Sequence, residues 1–221
     1  MGDYNKFAKE YEQLTEELEK QTRKHTYSLI TTSLKGKKLL DVGCGSGCDA
    51  MYYSKKGADV FGIDISEKEI EIIKKKVKGE FAVGNMDKLV YQDNTFDIVT
   101  STYAIQASEN VTKSINEMIR VAKKGAEILI VAKHPFRNLL EGNVNDKKKD
   151  YFKQTKVTSF IFNRKIKLTE PSHTMTDYLH KSILQKANLE IFEEHNDFPA
   201  SEQVIKELIY PTFMILRFRK I

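Results

Sequence analysis

The 221 residues contain no tryptophan, only 4 prolines and only 2 cysteines. With 11 glycines beside so few prolines, collagen-like and low-complexity chains are excluded. Cys44 and Cys48 stand four apart in one glycine-rich segment. That spacing suits neither a secreted disulfide framework nor paired CxxC zinc ligands, so a reducing, cytoplasmic compartment and no metal site are expected. No stretch approaches the roughly 18 consecutive apolar residues of a membrane span, and no membrane association is expected. The opening Met1-Gly2-Asp3-Tyr4-Asn5-Lys6 reads as neither signal peptide nor myristoylation site, since Lys6 stands where Ser or Thr is required. Neither sign of charge dominates: 36 Lys+Arg face 31 Asp+Glu, a net +5. The lysines are interspersed with acids, so no large nucleic-acid footprint is demanded. What is present, 40% hydrophobic and 30% charged residues, suits one globular domain over 1–221 with a full core.

Short apolar runs alternate with helical patterns between residues 36 and 132, the mark of a parallel sheet with crossover helices. Strands are predicted over 38–43, 58–64, 80–84, 96–101 and 127–132. Ser66 with Glu69 three residues on forms a reciprocal capping box that opens a helix carrying Ile70, Ile73 and Val77 on one face. A second helix over 111–123 places Ile115, Met118, Ile119 and Ala122 on one stripe and ends near Gly125, read as a C′ glycine. Residues 1–33 are polar and helical in pattern, with Tyr4, Phe7 and Tyr11 on one face, and form a docking helix or a lid. Residues 135–175 interrupt the rhythm with the charged run Asp146-Lys147-Lys148-Lys149-Asp150 and a β-like segment over 157–168, an insertion expected to cap a substrate site. A helix over 176–187 and strands over 189–194 and 213–219 complete a doubly wound, Rossmann-like α/β fold. Its sheet is seven-stranded and mostly parallel, with an antiparallel C-terminal strand.

The segment Asp41-Val42-Gly43-Cys44-Gly45-Ser46-Gly47 runs from an apolar strand into three alternating glycines and a helix. Glycines there let the backbone bend and approach a ligand with no Cβ in the way. The third glycine falls one position short of the dinucleotide pattern, and no Lys-Ser/Thr follows as in a P-loop. Asp41 would repel a pyrophosphate and attract an ammonium or a sulfonium. On this motif the chain resembles the class I S-adenosylmethionine-dependent methyltransferases over about residues 36–132. The resemblance implies S-adenosylmethionine as cofactor, with S-adenosylhomocysteine as product. It implies that Asp41, Gly43, Cys44, Gly45 and Gly47 lie along the methionine part. Asp64 would hold the ribose hydroxyls, Ile65 and Met86 would pack on the adenine, Asp87 would accept from its amino group, and Ser101 and Tyr103 would stand near the methyl group. The turn Val121-Ala122-Lys123-Lys124-Gly125-Ala126 departs from the family's usual Leu-Lys-Pro-Gly-Gly.

A base matters only where the methyl acceptor holds a proton in its attacking form. His134 after the fifth strand and His173 before the next helix are the candidates, with Tyr103 as a further catalytic residue. Neither cysteine is placed for a covalent pyrimidine adduct, and Ser101-Thr102-Tyr103-Ala104 replaces the Asn/Asp-Pro-Pro-Tyr/Phe turn of amino-group nucleic-acid enzymes. The expected reaction is methyl transfer to an O or N atom of a small-molecule substrate by a monomer or homodimer. Tyr151, Phe152, Phe160 and Phe162 would wall the substrate pocket or form the core of a small hairpin. Alternatives are a tRNA, rRNA or peptide methyltransferase, for which Lys147, Lys148 and Lys149 would contact nucleic acid, and a non-catalytic cofactor-binding partner subunit.

Overall fold

A computed structural model of the chain describes residues 20–142, 149–153, 155–161, 166–196, 205 and 207–221. Five strands alternate with helices as the hydrophobic rhythm requires: β1 (Lys38–Val42), β2 (Asp59–Asp64), β3 (Glu80–Val83), β4 (Phe96–Thr102) and β5 (Ala122–Lys133). Two further strands, β8 (Ala187–His195) and β9 (Phe213–Lys220), complete a seven-stranded sheet of order β3-β2-β1-β4-β5-β9-β8. β9 pairs antiparallel with both β5 and β8, and the other pairings are parallel. Between β5 and β8 an antiparallel hairpin, β6 (Lys156–Ile161) with β7 (Ile166–Pro171), forms a separate small sheet.

Both faces of the main sheet are covered, which is why its strands read as continuous apolar runs. Leu39, Val60 and Ile98 pack against Ala50 and Tyr53 of α2 (Cys48–Lys55) and Ile70 and Ile73 of α3 (Glu67–Lys76). Leu40, Phe61 and Val99 point the other way, onto Ile115, Met118 and Ile119 of α4 (Val111–Val121). α1 (Lys20–Ser28) joins the first face through Tyr27, with Ile30 just beyond it. Residues 1–19, with Tyr4, Phe7 and Tyr11, lie outside the described residues. So do 143–148, which hold Lys147 and Lys148, and the side chains of Phe160 and Phe162. Among the described residues no helix is long and apolar enough to cross a membrane.

Three sequence expectations are corrected. α4 ends at Val121, and β5 starts at once with Ala122 in extended conformation. Gly125, at φ +78°, sits inside β5 where the β4–β5 register jumps from Phe96↔Ala122 to Ile98↔Glu127, so it makes a bulge and does not cap the helix. The helix expected over 176–187 is two single turns, α6 (Met175–Tyr178) and α7 (Lys181–Leu184), after α5 (Pro135–Glu141). His180 breaks it: its backbone is extended and its Nδ1 accepts from Ser182 N at 3.2 Å. The capping box at Ser66 is half formed, for Glu69 N donates to Ser66 Oγ at 3.3 Å but Ser66 N donates to Asp64 Oδ1 at 2.9 Å.

The segment after α1 is fastened to the sheet by one buried carboxylate. Glu127 accepts from Thr31 N (3.1 Å), Thr31 Oγ1, Thr32 N (3.3 Å) and Arg219 Nη2 (2.9 Å). Burial pushes its carboxyl up, but these donors outweigh it and hold the group below the ordinary glutamate value. Glu127→Ala is expected to cost about 1.5–3 kcal/mol at pH 7 in urea unfolding, because it removes the charged acceptor shared by Thr31, Thr32 and Arg219, although Arg219 keeps Glu190. A depressed folded-state value means this stabilisation is complete above the unfolded glutamate pKa of about 4.3 and is lost as pH falls through the folded value. The difference from Glu127→Gln should therefore shrink below about pH 4.

Candidate active site

Strand order reverses between β1 and β4, and a parallel sheet opens a crevice beyond the carboxyl ends of its strands at such a point. A cleft of about 270 Å³ lies there. Its floor is the turn from β1 to α2, where Gly43 and Gly45 take positive φ of 76° and 48°. A Cβ on Gly43 would stand 2.2 Å from that of Ala104, whereas one on Gly45 would meet nothing within 4 Å. Gly43 is thus required by packing, and Gly45 presents bare backbone to open space.

Asp64 at the end of β2 is the best-anchored group in the cleft. Gly45 N donates to Oδ2 and Ser66 N to Oδ1, both at 2.9 Å. Burial raises its carboxyl, and these backbone donors oppose the rise. A carboxylate oxygen can accept more than one hydrogen bond, so both oxygens keep capacity for a ligand. Ile65 beside it is 45% exposed, and Met86 joins it in the lining. Asp87 also lines the cleft, with Oδ1 accepting from Ser108 Oγ at 2.6 Å and from Ser114 Oγ. Beyond β4 the wall is Thr102, Tyr103 and Ala104. Tyr103 holds φ +52°, a left-handed conformation costly for an aromatic residue, and its N donates to Val131 O at 2.8 Å.

Of the residues expected at the site, Gly43, Cys44, Gly45, Gly47, Asp64, Ile65, Met86, Asp87 and Tyr103 come together on the cleft. Asp41, Ser101, His134 and His173 do not line it. Asp41 is buried beneath the loop, where Thr100 Oγ1 donates to it at 3.2 Å. Burial, then Asp49, pushes its carboxyl well above the usual range. Ser101 is buried within β4, and Thr102 takes the wall position. His134 is buried as the N-cap of α5: its Nδ1 accepts from Phe136 N at 3.1 Å, and its Nε2 lies 2.8 Å from Glu194 Oε1. Both ring nitrogens are therefore engaged away from the cleft. His173 is buried, with Nε2 donating to Gln106 O at 3.2 Å, and faces a second cavity of about 120 Å³. Burial lowers both imidazoles. Phe152 is 81% exposed, and Tyr151 accepts from Met175 N at 2.7 Å through its hydroxyl; neither walls the cleft.

Several lining residues have no local sequence signal. Arg23 of α1 pairs with Asp49 of α2, whose Oδ1 also accepts from Tyr27 OH at 2.6 Å. Lys156 and Thr169 of the β6–β7 hairpin and Glu109 also line the cleft, with Lys156 Nζ 3.2 Å from Glu109 Oε1. Glu69 has a sequence signal that points elsewhere. Because Asp64 takes the Ser66 N–H, the Glu69 carboxylate is released from the capping box to the cleft, and its Oε2 is buried without a hydrogen-bond partner among the described residues.

Burial, with the Asp64 charge added, raises the Glu69 carboxyl to about 7. A raised folded-state value makes ionised Glu69 a cost that grows as pH climbs from the unfolded value of about 4.3 to about 7 and is constant above. Glu69→Gln should accordingly be more stable than the native chain at pH 8, by about 1–3 kcal/mol, with the gap closing toward pH 4.5. Thermal unfolding across that range measures it.

Residues 40–130, which run from β1 to β5, match the model of a methyltransferase domain. Over 115 residues the chain is 36% identical to norajmaline N-methyltransferase of Rauvolfia serpentina, covering 48% of this chain and 39% of that protein. It is 30% identical over 105 residues to demethylmenaquinone methyltransferase of Renibacterium salmoninarum, covering 47% of this chain and 44% of that one. The chain thus spans about two-fifths of the length of these curated relatives. The crystal structure of an S-adenosylmethionine-dependent methyltransferase from Mesorhizobium loti shares its fold, with a TM-score of 0.69 and 18% identity over 89% of this chain and 96% of that one. With its seven-stranded sheet, its glycine turn and the acid ending β2, the chain has the fold of the class I S-adenosylmethionine-dependent methyltransferases, and its residues 40–130 match a methyltransferase domain.

Proposed function

We infer that the chain binds S-adenosylmethionine along the Gly43–Gly47 turn and transfers its methyl group to a nitrogen or oxygen atom of a small molecule. The observation that carries this reading is Asp64: its two carboxylate oxygens are fixed by Gly45 N and Ser66 N at the edge of the cleft. A carboxylate held in that way matches a vicinal diol, accepting one hydroxyl on each oxygen. The open space over Gly45 fits a ligand lying against the backbone. Ile65 and Met86 supply apolar surface for a flat base, and Asp87 supplies an acceptor for an exocyclic amine. Arg23, paired with Asp49, and Lys156 are the cations among the described residues lining the cleft.

When bound, the cofactor supplies a methyl group on a sulfonium, an electrophile that needs alignment more than activation. Thr102, Tyr103 and Ala104 form the wall against which an acceptor is aligned, and the strained backbone of Tyr103 is held by Val131 O and by Gln106 Nε2, which donates to Tyr103 O at 2.6 Å. The hairpin closes the mouth with Lys156 and Thr169. The exposed Lys156–Glu109 pair contributes about 0–1 kcal/mol and opens at little cost. No histidine is among the residues lining the cleft, so the site favours an acceptor that arrives with a free lone pair. Among the described lining residues the acids Asp49, Asp64, Glu69, Asp87 and Glu109 outnumber the cations Arg23 and Lys156. This balance suits a sulfonium and an amine and disfavours a polyanionic acceptor such as RNA. The relatives named for norajmaline and for demethylmenaquinone support a small acceptor.

Calorimetric titration with S-adenosylmethionine and S-adenosylhomocysteine tests the assignment. The native chain should bind both, and Asp64→Ala and Gly45→Val should each weaken binding by about tenfold or more while the circular dichroism spectrum is kept. Equal affinity in native chain and both variants would sink the site.

A further inference from the structure

Outside the cleft, two imidazoles and a carboxylate converge where α1 meets the edge strand of the sheet. Glu193 and His195 are two apart on β8 and so project from the same face of the strand. His25 comes down onto them from the last turn of α1. His25 Nε2 lies 2.7 Å and His195 Nε2 2.8 Å from the same oxygen, Glu193 Oε2, and the three ligand atoms all lie within 4.8 Å of one another. The rings are already oriented. His195 stacks on Phe213 of β9 with centroids 4.9 Å apart and planes 11° apart, and His25 meets His195 edge-on at 5.5 Å. His25 is exposed while Glu193 and His195 are half-buried, which leaves an approach from solvent and a coordination position for water.

We propose that His25, Glu193 and His195 form a binding site for a divalent transition-metal ion of the zinc class, which fastens α1 to β8. Imidazole nitrogen and carboxylate oxygen are the donors that zinc, nickel and cobalt prefer, whereas magnesium and calcium call for an all-oxygen set. An ion bonded at about 2.0–2.2 Å to each donor sets tetrahedral ligand atoms about 3.3–3.5 Å apart. The two observed contacts would lengthen by about 0.5–0.8 Å to reach that spacing, on a partly exposed surface. The only cysteines, Cys44 and Cys48, stand in the β1–α2 turn and take no part. The site is structural in role, and none of its three donors is among the described residues lining the cleft. It nevertheless sits two residues along α1 from Arg23, so occupancy stiffens the helix that supplies one cleft wall.

The test uses the untagged full chain after treatment with a chelator. Isothermal titration with Zn²⁺ should show one site per chain, Co²⁺ should develop a visible d–d spectrum, and Zn²⁺ should raise the unfolding temperature. His25→Gln, His195→Gln and Glu193→Gln should each weaken Zn²⁺ binding by about tenfold or more, at least the loss that follows removal of a group that merely supports a ligand. All three positions are at the surface or half-buried, and retained circular dichroism shows that the fold survives. Absence of Zn²⁺ binding to the native chain overturns the proposal, and so does binding that persists in a His25→Gln/His195→Gln double variant. Both readouts are independent of cofactor binding, so failure of the metal site leaves the methyltransferase reading standing, and the converse.

Discussion

The cleft depends on one carboxylate meeting two backbone N–H groups from different turns. Asp64 ends β2, and its oxygens draw in Gly45 N from the turn after β1 and Ser66 N from the start of α3. Each contact constrains the other, since the glycine turn can reach Asp64 only because Gly43 and Gly45 adopt positive φ. The same contact decides what happens at the start of α3. With its N–H already taken, Ser66 caps the helix in one direction only, and the Glu69 side chain is left facing the cleft.

Acidic groups crowd this end of the sheet, and their depth separates their roles. Asp41 is buried among Thr100, Tyr53 and Asp49, and its carboxyl is pushed toward neutrality, which makes it part of the core that supports the turn. Asp64 is also raised by burial, but two backbone donors favour its charged form. Glu69 lacks such donors and titrates near neutrality.

The other constraint lies at the periphery, where α1 and the residues following it wrap onto the sheet. Glu127 gathers Thr31, Thr32 and Arg219, Arg217 Nη1 donates to Leu29 O at 2.6 Å, and His25 reaches Glu193. These contacts link positions far apart in the chain. They matter to the cleft because α1 carries Arg23, whose partner Asp49 belongs to the helix that follows the glycine turn.

The alternation of strands and helices from β1 to β5, the glycine turn, Asp64 ending β2 and Asp87 in the turn after β3 are legible in the chain, because each is written in local periodicity or in residues within about twenty positions. The sequence misread Gly125, whose positive φ serves a helix end and a bulge equally well, and it merged α6 with α7 because apolar spacing does not show that His180 turns its ring back onto Ser182. It also set His134 and His173 toward the cleft from their order after β5, whereas an N-cap contact and a carbonyl hold their rings elsewhere. Tertiary packing alone brings Arg23, Glu109, Lys156 and Thr169 to one cleft and His25 to Glu193 and His195. The reason is physical: these contacts close loops of tens to more than a hundred residues, and what selects them is packing of whole elements, which leaves no period or spacing in the chain to be read.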